Sequence, residues 1–150
     1  MPIEGGPYLA GAFFCEKALR ENDGVYSFIR VVDRFIVSGP DDVMQLTPLQ
    51  LTLVVMFKSG MHRGPGQLSV TPTSPSDVVM PALPGSVLFE GDDDRGQVLV
   101  QPMVFPAAEP GIYWFNVSID GRSFTEIPLR VVYHRVAAQP LPPSLPPSQG

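Results

Sequence analysis

The chain is poor in the residues that do chemistry: it has one cysteine, Cys15, one tryptophan, Trp114, and two histidines, His62 and His134. A lone cysteine excludes an intrachain disulfide, so the expected compartment is a reducing cytoplasm. Neither histidine stands in a metal-ligand spacing such as H-x-x-x-H, and no C-x-x-C occurs. A catalytic histidine needs a nucleophile and an orienting acid, and His62 sits in a glycine-rich turn while His134 closes an apolar run. Phosphate loops, dinucleotide fingerprints and nucleophile elbows are missing too. These gaps argue against an enzyme and leave no cofactor to expect. No stretch approaches the roughly 20 apolar residues of a membrane span. Residues 1–7 lack the basic segment and apolar core of a signal peptide. Lys and Arg total 10 against 15 Asp and Glu, a net charge of −5, with no basic run. Phosphate backbones need such runs, so nucleic acid is not an expected partner.

Proline and glycine are abundant, at 18 and 14 residues. Proline lacks the backbone donor and clashes with the preceding turn of a helix, so this density disfavours a bundle and suits short strands joined by turns. Apolar residues make up 44% of the chain, enough for one globular core at this length.

The clearest element is the last hairpin. Tyr113, Phe115, Val117 and Ile119 share one face and Trp114, Asn116 and Ser118 the other, the period of a half-buried strand. Asp120-Gly121 follows and suits a type I′ turn. Ile127, Leu129, Val131 and Tyr133 then alternate with Glu126, Arg130 and His134. Pro128 cannot donate to a ladder, which places it at an edge or a bulge. A second hairpin runs from the apolar residues 8–15 through EKALREN to Asn22-Asp23-Gly24 and into YSFIRVVDRFIVSG. EKALRE is too short for a stable helix and reads as strand. The second run is apolar on both faces, as in a central strand covered on two sides. Alternation marks another strand over 49–58. Residues 60–66 read as a turn, 67–71, 86–89 and 97–105 as strands, and the proline-rich 72–85 as an irregular connection. The expected architecture is all-β, with about seven or eight strands over 1–136. Residues 137–150, AAQPLPPSLPPSQG, read as a polyproline-like tail.

Pro110-Gly111-Ile112-Tyr113-Trp114-Phe115 is similar to the tyrosine corner of immunoglobulin-like sandwiches, with Phe115 where antibody domains carry a cysteine. The expected fold is therefore an immunoglobulin-like antiparallel β-sandwich. The stretch FFCEKALRENDGVYSFIRVVDR, from Phe13 to Arg34, resembles the opening of a family of small bacterial proteins of unknown function. An F-C-E/D start, a D-G turn, an S-x-I-R strand and a D-R pair recur in that family, and GIYWFNVSIDG…IPLRVV is similar as well. The resemblance implies a bacterial, cytoplasmic, one-domain β-sandwich, and carries no activity.

Asp92, Asp93 and Asp94 form the densest acidic cluster and are the one candidate metal site. Calcium takes about six to eight oxygens, usually from several loops, so Asp41, Asp42 and Asp77 would have to contribute. Consecutive aspartates diverge on an extended loop, and the simpler reading is a solvated hairpin tip. Arg30 and Arg34 are partner-surface candidates that share a face if their strand is regular, with Asp33 opposite. The plainer role is a salt bridge such as one to Glu16. Cys15 follows Ala12-Phe13-Phe14 and reads as a buried thiol. Met44, Met56, Met61, Met80 and Met103 share no spacing and read as gap fillers. Asn116-Val117-Ser118 matches a glycosylation sequon, which means little in a cytoplasmic chain. Trp114 should project outward beside Ile112, and exposed aromatics favour interfaces. The expected role is a protein-interaction or structural module. Its partner would be another protein or a second copy joined at sheet edges, with no small molecule identifiable. Calcium-dependent binding is the alternative and hydrolysis the more distant one.

Overall fold

Turn chemistry decides where this chain reverses. A computed structural model describes residues 6–91 and 96–136. Asp120 and Gly121 both take positive φ, 49° and 82°, as a type I′ turn requires. They join β8 (Gly111–Ile119) to β9 (Arg122–Arg135). At the other hairpin Gly24 has φ 86°, and the amide of Val25 donates to Asp23 Oδ1. This turn links β1 (Tyr8–Arg20) to β2 (Tyr26–Val32), so EKALR is strand throughout. The remaining strands are β3 (Arg34–Gly39), β4 (Thr47–Lys58), β5 (Arg63–Thr73), β6 (Leu83–Glu90) and β7 (Gly96–Ala107).

Among the described residues nine strands form two sheets, of order β2-β1-β4-β7 and β3-β9-β8-β5-β6. The long run expected as one central strand is two edge strands. It breaks at Asp33, and β2 stays in the four-stranded sheet while β3 crosses to pair in parallel with β9. The backbone carbonyl of Asp33 accepts from the amide of Arg130, which anchors the crossing. Apolar residues on both faces of this run therefore serve two sheets in turn. β5 also begins earlier than expected, at Arg63, inside the predicted turn over 60–66.

The core lies between the sheets. Phe14, Leu51, Leu53, Val55 and Phe57 from one meet Leu68, Val70, Phe115, Val117 and Leu129 from the other. Phe115 is fully buried and bridges the layers, its ring 4.8 Å from that of Phe14 and 5.1 Å from that of Phe105. It fills by packing the position where antibody domains place a disulfide. The Tyr113 hydroxyl donates to the Glu109 carbonyl at 2.8 Å and accepts from the Glu109 amide at 3.2 Å, closing the corner expected from the sequence. Pro128 lies on β9 opposite Trp114, while β3 joins β9 only from Arg130 onward. At Pro128 the far side of β9 is thus an edge, where a missing donor costs nothing.

β4 is buried on both faces from Leu51 to Val55. Its outward-facing Thr52 and Val54, and their neighbour Cys15 on β1, have at most 6% exposure. The β1–β2 hairpin supplies the cover. Pairing lapses between Glu16 and Arg30, where Arg30 takes φ 54°. Beyond this point the hairpin turns back over its own sheet. Phe28 comes to 5.0 Å from Phe13, edge to face, and Tyr26 stacks on Phe28. The hairpin tip, with Arg20 and Gly24, shares a cleft of about 460 Å³ with Met56, Gly96 and Val98, at the end of the sheet where β1 begins.

Candidate functional site

Among the described residues the outer face of the five-stranded sheet has no such cover. Side chains that pair across neighbouring strands share a face. Pro128 pairs with Trp114, Trp114 with Thr73, and Thr73 with Val79 of the following connection. These four residues make one row across the sheet, facing away from the core. Trp114 is 43% exposed and Val79 68%. One step along the strands lie Ile112, Arg130 and Arg34, which pair in register, and one step further Ile36 pairs with Val132. Ile36 is 62% exposed. On the opposite side of the row Asn116 pairs with Glu126 and Thr71. Among the described residues no further sheet and no helix lies over this face.

The row is held rigidly from beneath. Tyr113 and Phe115, on either side of Trp114, are buried and fix the strand that presents it. At one flank Glu109 Oε1 accepts from the amide and hydroxyl of Ser76, at 3.0 and 2.7 Å. These bonds favour the ionised carboxylate and hold Glu109 below the usual carboxylate range. They also tie the connection carrying Val79 to the corner before β8.

The residues singled out from the sequence are scattered. Arg34 lies on the open face beside Arg130. Arg30 lies on the other sheet, with its Nε 3.4 Å from Glu16 Oε1. The two arginines do not share a face, because the strand that would have aligned them is split at Asp33. Cys15 is buried, its thiol donating to the Lys17 carbonyl at 3.6 Å, and burial pushes its pKa up. His62 packs edge-on against Phe89 at 5.1 Å, and His134 is exposed near the end of β9. Asp42 pairs with Arg135 at 2.6 Å, while Asp77 takes φ 64° in the 74–82 connection. Asn116 of the sequon donates to the Ser123 hydroxyl across the hairpin. Asp92, Asp93 and Asp94 lie outside the described residues, as does the segment 137–150. Among the described residues no three His, Cys, Asp or Glu side chains come together as a metal site. Among the described residues no helix is long and apolar enough to cross a membrane.

Sequence reasoning found Trp114 and Arg34 but missed Pro128, Val79, Ile36 and Glu126. Pro128 and Glu126 were legible from the alternation of the last strand. Val79 was not, since its place in the row depends on a bridge formed by a connection without strand periodicity.

Two packed layers, antiparallel except for the parallel β3–β9 pair, with a tyrosine corner at the start of β8 define an immunoglobulin-like β-sandwich. Among solved structures the chain is similar to an immunoglobulin-like protein from Pseudomonas aeruginosa, with 10% identity over 87% of this chain and 99% of that one, at a TM-score of 0.40. No family model matches the chain, and no curated protein matches it.

Proposed function

We propose that this sandwich is a non-enzymatic protein-interaction module that binds through the outer face of its five-stranded sheet. The observation that carries this reading is the largely apolar row Pro128–Trp114–Thr73–Val79, interrupted only by the Thr73 hydroxyl, left open and framed by Arg34 and Arg130 on one side and Glu126 on the other. A tryptophan rigidly presented among smaller apolar groups, with charges at the rim, is the composition of an interface centre. The resemblance of the Phe13–Arg34 segment to small bacterial sandwich proteins supports a bacterial cytoplasm as the setting. The single, buried Cys15 is in keeping with that compartment.

The test is proximity cross-linking in cells of the source organism, comparing the wild type with Trp114→Glu and with Val104→Glu, a control at an exposed position on the edge strand β7 of the other sheet. Cross-linked products lost in Trp114→Glu and kept in Val104→Glu support the reading. Products indifferent to Trp114 reject it.

A further inference from the structure

We infer that the partner of this face is a second copy of the same chain, in a two-fold dimer with Trp114 on its axis. The inference rests on the reading that the Trp114 face is an interface, and adds what occupies it. The argument starts from the order of charges along β9. On its outward face Arg130 and Glu126 stand one step to either side of Pro128. Neither makes an ion pair with any described residue. A two-fold axis lying along the row Pro128–Trp114–Thr73 keeps each strand over its own copy and reverses its direction. Pro128 then meets Pro128 and Trp114 meets Trp114. Arg130 of each copy faces Glu126 of the other, giving two ion pairs that flank an apolar centre. A surface that is its own complement under a two-fold rotation is the requirement for an isologous dimer.

The same operation suits the other strands. Ile112 meets Asn116 of the second copy, so no like charges are opposed. Arg34, level with Arg130, adds positive charge on the side that faces Glu126 of the second copy. Stacked sheets stand about 10 Å apart, a gap that arginine and glutamate side chains reaching from both sides can close.

The sheet edges offer a poorer route to self-association. The edge strand β7 carries Pro102 and Pro106, and the edge strand β6 carries Pro84. Proline removes ladder donors and blunts an edge. β3 has six residues, and β2 is kinked at Arg30.

The extent of the face sets the expected strength. From Glu126 to Val132 it runs about 20 Å along the strands, and from β3 to Val79 about 19 Å across them. That is small beside the roughly 800 Å² per partner of a standard interface, so the dimer should be weak and concentration-dependent.

Sedimentation equilibrium of the full chain at low ionic strength, up to millimolar concentration, tests this. The weight-average mass should climb toward twice the monomer mass. Arg130→Glu and Glu126→Arg should each weaken association by at least about tenfold, because each opposes like charges. The double variant should recover to within about threefold of wild type. Trp114→Ala should weaken association by at least about tenfold, as loss of a central aromatic does. Thermal unfolding of every variant checks that the sandwich is intact. A monomer at all concentrations, a double variant no better than the single ones, or association indifferent to Trp114 overturns the dimer. A monomer whose cellular cross-links still depend on Trp114 overturns the dimer and leaves the interaction surface standing. Loss of both sinks both.

Discussion

The two sheets of this sandwich treat their outer faces in opposite ways. The four-stranded sheet has an apolar outer surface, with Phe13, Cys15 and Val54, and covers that part of it with the folded-back β1–β2 hairpin, leaving Val31 and Val104 exposed toward its edges. The five-stranded sheet has an apolar outer row too and leaves it open to solvent. The covered face contributes to stability, since each buried large side chain is worth about 1.5–3 kcal/mol. The open face contributes little until something docks on it. Apolar surface alone therefore does not mark the binding face. What marks it is apolar surface that no described element of the chain reaches.

Matched charge substitutions should split the two faces most sharply. Val54→Asp places a carboxylate where there is no exposure and should cost about 4 kcal/mol or more. Trp114→Asp, at a position of the open row, should cost about 1 kcal/mol or less. Urea unfolding of both variants measures the gap, and equal losses would mean that the faces do not differ. A middle-sized effect should come from loosening the cover alone. Phe28→Ala removes the ring that meets Phe13 and should cost about 2 kcal/mol. It should also raise the alkylation rate of the native Cys15 thiol at least about tenfold, by easing the opening that exposes it. Labelling at the wild-type rate would show that the hairpin is not what shields the thiol.

The smallest effect should be the pH dependence of the flank that carries Val79. Glu109 is held below the usual carboxylate range by Ser76, so its folded pKa is depressed. Such a group contributes stability above its unfolded pKa, about 4.3, and loses it as pH falls through the folded value. Thermal melts from neutral pH into acid should show this loss in the wild type, and Ser76→Ala should flatten it. An unchanged acid limb in Ser76→Ala would mean that this contact does not set the dependence.

Much of this fold can be read locally. Asp120-Gly121 and Asn22-Asp23-Gly24 announce their turns because positive φ is tolerated by few residues. The alternation around Tyr113 and Phe115 names both the strand and its buried side. Prolines within strands, Pro128 above all, announce a missing donor. The candidate site is legible in part, since an outward tryptophan follows from period two. The reversal of the β1–β2 hairpin is not legible, because it hangs on one pair, Glu16 and Arg30, whose residue types carry no signal for it.

The amino-acid order by itself determined the all-β class, the two hairpins, the corner and the inward and outward sides of the last strands. Each of these rests on interactions between residues close in the chain or on the two-residue period of a strand. Tertiary structure alone decided that the run from Tyr26 to Gly39 serves both sheets, that β4 lies inside its sheet, and that the middle of one outer face is covered while the Trp114 row of the other stays open. Those outcomes depend on which surfaces meet across long separations in sequence. The hydrophobic effect that drives such meetings rewards buried area without naming a partner, so the pattern of apolar residues shows that they are to be covered but not by what.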